Sequence, residues 1–232
     1  MRWLILFACI SSLILSGCGG RSAVIEHTPP ELTVDNTYFV QQGCFNELSC
    51  SPEGFQQPDP AVSLISKPSD MLGGLTPTLP LAVGSTVLYR DEGEIQAVYV
   101  NRCMRNQFIR YLVRIDDQTI LVDSIARMAE FFAPIDTSQE ALSYAIATTG
   151  YAALFDIEAI KKPVVYTDTI EETFVQQVEG GYLVHLFDTY LCGCGPHITQ
   201  SVDVTVNEDG SIQVTEPVDA FSDPQYDDLC VD

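Results

Sequence analysis

Basic residues are scarce in this sequence. It contains 11 lysines and arginines against 32 aspartates and glutamates, which gives a formal net charge of −21. A surface this acidic repels nucleic acids and anionic lipid headgroups, so we expect no nucleic-acid partner. The charge favours solubility and attracts cations or basic partners, although a solvated acidic surface is its simpler interpretation.

Motifs of the common catalytic and cofactor sites are also missing. The chain contains no G-x-S-x-G nucleophile elbow, no H-E-x-x-H zinc motif and no P-loop. Its acidic tail at residues 223–232 lacks the spacing of an EF-hand loop. We therefore predict no catalytic residue, no metal and no cofactor, while an enzyme of unrecognised geometry stays open as an alternative.

The N-terminus, in contrast, has the pattern of an export signal. Met1 and Arg2 provide a positive end, and residues 3–15 form an apolar stretch that is too short to span a membrane comfortably. Small residues then lead to a cysteine, in the order Ser16-Gly17-Cys18. This pattern predicts a secretory signal peptide at residues 1–17.

The segment Leu15-Ser16-Gly17-Cys18 resembles the lipobox of bacterial lipoproteins. The resemblance implies cleavage before Cys18 and lipidation of its thiol, which would anchor the protein to a membrane outside the cytoplasm. Several acyl chains on one residue suffice for this, because each buried methylene contributes about 0.8 kcal/mol. Gly19, at the position where aspartate favours the inner membrane, points to the outer membrane of a cell with two membranes. An uncleaved anchor helix or a plain signal peptide is the alternative.

The remaining cysteines suit an oxidising compartment. Cys9 would leave with the signal peptide and Cys18 would carry lipid, so an even set of six stays in the exported chain, which predicts three disulfides. Cys44 and Cys50 enclose a short loop and form a plausible local pair. Cys192 and Cys194 would form a strained ring with each other, so we expect them to reach two distant cysteines in an order that the sequence leaves open. These two are Cys103 and Cys230.

Composition divides the exported chain into a lipidated tether at 18–36 and one folded domain at 37–232. The tether is small, polar and proline-bearing, which predicts flexibility. The domain has possible halves at 37–135 and 136–232, and its first part, to about residue 80, is expected to hold loops and short strands.

Hydrophobic periodicity predicts strands and two short helices in this domain. One helix should run from Ser124 to Phe132, and the other should begin at a capping box of Thr137 and Glu140 and end at Gly150. Strands are predicted at 86–89, 95–100, 108–115, 119–122, 174–178, 182–191, 202–206 and 212–214.

These elements predict an α+β fold of antiparallel β-meanders with two short helices, stapled by disulfides. In the C-terminal half, a helix followed by antiparallel strands resembles the order of elements in cystatin-like and PepSY-like folds. That resemblance implies a module of the protease-inhibitor kind as one functional alternative.

Four arginines without an intervening acid stand out in so acidic a chain, and they are Arg102, Arg105, Arg110 and Arg114. Guanidinium groups grip carboxylates and phosphates, so these residues are candidate ligand-binding residues. The alternation of the strand at 108–115 predicts that Arg110 and Arg114 face outward. The alternative is that the arginines pair with the domain's own carboxylates.

The segment Cys192-Gly193-Cys194-Gly195-Pro196-His197 concentrates reactive side chains. It suggests a metal site, a redox dithiol or two structural half-cystines in a tight loop. The exported context favours the structural interpretation. We therefore expect a non-enzymatic envelope lipoprotein that binds a protein or polymer ligand, with a thiol–disulfide oxidoreductase or another envelope enzyme as the alternative.

Overall fold

A computed structural model describes residues 23–45, 50, 52, 55, 62–89, 95–103, 105–160, 163–189 and 191–231. The predicted signal peptide and Cys18 lie outside these residues, so the structure leaves both as predictions. The described chain is an α+β fold that is mostly β-sheet, in agreement with the sequence.

Two larger antiparallel sheets follow one another along the chain. In the described residues the N-terminal sheet has the strand order β2-β3-β5-β4, with β6 also pairing β5. Its strands are β2 (Leu64–Ser66), β3 (Leu81–Tyr89), β4 (Tyr99–Arg102), β5 (Arg105–Ile115) and β6 (Gln118–Val122).

The C-terminal sheet has the order β7-β14-β12-β10-β9, and β13 also pairs β12. Its strands are β7 (Val164–Val165), β9 (Val175–Val178), β10 (Gly181–Asp188), β12 (Ile198–Asn207), β13 (Ile212–Val214) and β14 (Val218–Ser222). Two small sheets complete the described strands, one parallel and one antiparallel. They pair β1 (Ala23–Ile25) with β8 (Thr169–Glu171), and β11 (Gly193–Cys194) with β15 (Cys230–Val231).

Both predicted helices are confirmed, and a third, short helix α1 (Thr37–Gln41) precedes them. Helix α2 (Ile125–Phe132) is capped by Ser124. Helix α3 (Ser138–Thr149) begins with the predicted capping box, in which Thr137 accepts from the amide of Glu140 and its own amide donates to Glu140 Oε2 at 2.8 Å. It ends at Gly150 in the left-handed conformation that glycine adopts without strain.

Helix α3 lies between the two sheets and is buried on nearly all sides, not on one face alone. The Tyr111 hydroxyl on β5 donates to Ala147 O at 2.9 Å. On the other side the Tyr144 hydroxyl donates to Gly210 O, beyond β12, at 2.9 Å. One hydrophobic core therefore joins side chains of both sheets around this helix.

Each sheet also carries a smaller cluster on the face that points away from α3. On the N-terminal sheet, Ala82 and Leu112 are covered by Phe39, Val62 and the Cys44–Cys50 region. On the C-terminal sheet the cluster contains Phe187, Phe221, Ile157 and Ile170. The described domain is thus a sheet–helix–sheet arrangement with a cover on each outer face.

The expectation of a flexible tether up to residue 36 is wrong for residues 23–36, which we call the N-terminal strap. Strand β1 pairs with β8, while Leu32 and Val34 pack on the main core between the sheets. Gly73 allows this close approach, because a Cβ there would lie 2.4 Å from the Thr33 backbone. The strap's few apolar residues are enough to dock it, although its composition resembles that of a linker.

Three disulfides connect these parts, as the sequence predicts. Cys44 pairs with Cys50 within one loop. The sequence leaves the pairing of the other four cysteines open. In the structure Cys103 is bonded to Cys192 and Cys194 to Cys230. The Cys103–Cys192 bridge ties the end of the N-terminal sheet to the segment that follows β10.

Candidate functional site

A groove of about 550 Å³ is lined by both sheets at the end of the main core. Its floor is one row across three strands, in which Gln107 on β5 lies between Val87 on β3 and Asn101 on β4. Gln107 has the same side-chain direction as Ile109 and Tyr111, which face the core. The floor is therefore a continuation of the core face of the N-terminal sheet.

The groove combines cationic, acidic and apolar side chains. Arg102 and Arg105 belong to the N-terminal sheet, whereas Asp188 ends β10 of the C-terminal sheet. Val87 and Leu191 are large apolar residues that stay exposed. The remaining lining residues are Asn101, Cys103, Gln107, Gly150 and Thr189.

Partial burial in the groove changes the acidity of Asp188. Loss of hydration raises the pKa of this carboxyl above its ordinary value. The pKa of Tyr151 is also raised, by burial and by the charge of Asp188. A further anionic group close to this carboxylate would therefore be unfavourable.

The structure divides the four candidate arginines between two faces. Arg102 and Arg105 are exposed and line the groove. Arg110 is only 3% exposed, and its guanidinium donates to the Thr86 hydroxyl. Arg114 lies over the Tyr38 ring, with Cζ 4.5 Å from the ring centroid.

The prediction that Arg110 faces solvent is therefore wrong, and Arg114 is also largely covered, with 12% of its side chain exposed. Alternation correctly places both residues on the opposite face from Ile109, but that face has its own cover. Val62 lies over Gly84, which is the direct partner of Arg110 across the sheet. The pattern of β5 contains no signal for this cover because the covering residues are distant in sequence.

The cysteine-rich segment has a structural role in this state. Cys192 and Cys194 belong to different disulfides. They are therefore neither free thiols nor paired with each other, as a redox dithiol would be. His197 is buried, with Nε2 3.0 Å from Leu229 O. Within the described ranges no three His, Cys, Asp or Glu side chains are grouped as metal ligands would be.

A second, smaller pocket of about 240 Å³ lies where the strap crosses the start of α3. Beside it, the Phe174 ring lies between the rings of His27 and His185, at centroid distances of 5.4 and 5.2 Å. His185 Nδ1 is 2.7 Å from Asp203 Oδ1 and His27 Nε2 is 3.1 Å from Glu171 Oε1. The sequence contains no signal for this grouping, because strap and sheet meet only in the tertiary structure.

The buried carboxylate of Glu172 holds the strap in place. It accepts hydrogen bonds from the amides of His27 and Ile157, both at 2.9 Å. Burial favours its neutral form, but these bonds and one from the Asp156 backbone stabilise the charged form and hold the pKa below the ordinary 4.5. Its own amide donates to Ile25 O, so one residue binds the strap twice.

The hydrogen bonds of the Glu172 carboxylate predict that the protein loses stability in acid. Because the folded pKa of Glu172 is depressed, its contribution is complete above about pH 4.5 and disappears as the pH falls through the lower folded value. We expect the melting temperature of the wild type to fall more between pH 5 and pH 3 than that of Glu172→Gln, which has no carboxylate to protonate. Thermal unfolding measures both melting temperatures, and an equal decrease in the two proteins would contradict this role of Glu172.

No family model, curated protein or solved structure matches this chain. In the part of the chain that the structure describes, no helix is long and apolar enough to cross a bilayer.

Proposed function

We propose that this chain is an exported lipoprotein, anchored through Cys18, whose domain binds a ligand in the groove between the sheets. The observation that carries the proposal is the composition of that groove. Arg102 and Arg105 lie together with exposed Val87 and Leu191 in a chain that is otherwise poor in basic residues.

Two features support the location. The lipobox-like segment ends at Cys18, and the six cysteines that follow it form three bridges. Disulfides persist in exported proteins and are rare in reducing compartments. An envelope protein with this many bridges would keep its groove in a fixed shape, since one bridge joins the two sides of the groove.

The groove also defines the chemistry of the ligand. Arginine binds carboxylates and phosphates through charge-assisted hydrogen bonds, and the exposed valine and leucine favour an apolar group beside the anion. The ligand is therefore a protein or polymer that presents one acidic group next to an apolar one. Asp188 on the opposite wall discriminates against ligands with further negative charge.

The test compares ligands that differ only in their head groups. The fluorescent anion 8-anilinonaphthalene-1-sulfonate serves as the probe, and octanoate, octyl phosphate and 1-octanol compete for it. We expect octanoate, which carries one negative charge, to displace the probe at a concentration at least tenfold lower than octanol. Octyl phosphate, which carries up to about two negative charges near neutral pH, should bind more weakly than octanoate. Charge-assisted hydrogen bonds contribute about 1.5 to 3 kcal/mol, which corresponds to roughly ten- to hundredfold in affinity.

Substitutions of the groove arginines test whether the anions bind in the groove. Arg102→Gln and Arg105→Gln should each weaken octanoate binding about tenfold. Lys67→Gln is the matched control, because it removes one positive charge from an exposed side chain that is paired with Asp70, outside the groove. Equal displacement by octanol, or an equal loss in the Lys67 variant, would show that the groove does not select anions.

A further inference from the structure

The strap fixes the point at which the N-terminal part of the chain leaves the domain. Ala23 begins β1, and its amide donates to Asp168 O at 3.2 Å. The following residues pair with β8 and are held by Glu172 through His27. The connection to a lipidated Cys18 therefore consists of only the four residues between Cys18 and Ala23.

This connection is short compared with the domain. The five Cα-to-Cα steps from Cys18 to Ala23 span at most about 18 Å even when fully extended. A folded domain of about 200 residues is roughly 40 Å across. A domain held this closely cannot turn its far side to the membrane, so the lipid contact lies on the side of the domain around Ala23.

On that side, Val164 and Tyr166 are two residues apart and expose large side chains, and we call these two the anchor-proximal surface. Val165, which lies between them, packs on the outer cluster of the C-terminal sheet. The position of Tyr166 is fixed, since its amide donates to Ala220 O and its hydroxyl lies 3.2 Å from Ser222 Oγ. The bend that follows Tyr166 includes Asp168, the partner of Ala23.

We propose that the anchor-proximal surface rests on the phospholipid bilayer that holds the lipid anchor, which gives the domain one fixed orientation. This inference rests on the proposed acylation of Cys18. Tyrosine is favoured at membrane interfaces because its ring is apolar and its hydroxyl is polar, and the Val164 side chain adds apolar contact. The chain's large negative charge favours zwitterionic over anionic lipid for this contact.

The charges around the surface make the contact shallow. Asp168, two residues after Tyr166, and Glu26, on the strap, are exposed, and carboxylates are costly to remove from water. The side chains of Val164 and Tyr166 therefore enter the headgroup region, while the backbone of the domain stays outside it.

The test uses tryptophan as a depth probe. Trp3 is the sole tryptophan of the sequence and lies in the predicted signal peptide, so the mature chain would be free of background signal. Tyr166→Trp places the probe on the surface, where the native side chain is 46% exposed. Val40→Trp is the matched control, since Val40 is 51% exposed on α1, beyond the outer face of the N-terminal sheet.

Both variants are made in the full chain, purified from membranes with their lipid and inserted into phosphatidylcholine vesicles that contain brominated phosphatidylcholine. We expect bromine to quench the emission of the Tyr166→Trp variant at least twofold and to leave the emission of the Val40→Trp variant unchanged. Val164→Trp provides a second reporter and should be quenched like Tyr166→Trp. Equal quenching at the two sides, or none at either reporter, overturns the proposed orientation.

Intact-mass analysis of the same samples tests the anchor separately. A chain that begins at an acylated Cys18 but shows no difference in quenching overturns the orientation and leaves the lipoprotein proposal standing. A chain that retains residues 1–17 and carries no acyl group overturns the lipoprotein proposal, and the bilayer contact fails with it.

Discussion

Replacing both Cys103 and Cys192 with serine should lower the free energy of unfolding by about 4 to 5 kcal/mol. The bridge joins residues 89 positions apart, and closing so long a loop restricts the unfolded chain strongly. It also links the end of the N-terminal sheet to the segment after β10. The loss is comparable to the whole stability of many domains, so the variant should be partly unfolded at 37 °C.

The Cys44–Cys50 bridge is the internal control for this prediction. It closes a loop with a separation of only 6 residues, for which the same relation gives about 2 kcal/mol. Urea unfolding of the two double-serine variants should therefore show midpoints that differ clearly, with the Cys103–Cys192 variant lower. Indistinguishable urea midpoints would mean that loop length does not govern the contribution of these bridges to the free energy of unfolding.

The second large effect is expected at Arg110. Replacing it with glutamate should cost about 3 to 5 kcal/mol, because a lone charge of the opposite sign would be buried there. Burial already lowers the pKa of this guanidinium, and Asp123, whose charge opposes that shift, would repel a new carboxylate. By contrast, Arg105→Glu on the same strand should change stability by no more than about 0.5 kcal/mol, because Arg105 is exposed.

Arg110→Met separates charge from packing at this position. The Arg110 Nε atom is buried without a hydrogen-bond partner, so an apolar side chain of similar length loses little. We expect its urea midpoint to lie close to that of the wild type. Arg105→Glu and Arg110→Glu should therefore differ in the free energy of unfolding that they lose. Equal losses would contradict the assignment of the two arginines to different faces of β5.

Local features of the fold could be predicted because their causes lie within a few residues. The capping box of Thr137 and Glu140 and the left-handed Gly150 bound α3 at both ends. Residues 179–180 join β9 to β10, in the short interval between the predicted strands 174–178 and 182–191. The Cys44–Cys50 pair likewise follows from a short loop.

The candidate site could be predicted only in part. Two of the four candidate arginines, Arg102 on β4 and Arg105 on β5, line the groove. Asp188 and Leu191 carry no motif, and they reach the groove because β10 ends opposite β4 and β5. The small pocket beside His27 was missed for the same reason, since residues 27 and 174 meet only after the strap has docked.

The sequence by itself determined the α+β class, the ends of the two predicted helices and the assignment of Cys192 and Cys194 to different disulfides. These follow from short-range sterics, capping and alternation, which act within one segment. Only the tertiary structure decided which faces are covered, since Arg110, the strap and α3 are buried by residues that are distant along the chain. Burial is a property of what packs against a segment, and the alternation of that segment contains no information about its neighbours.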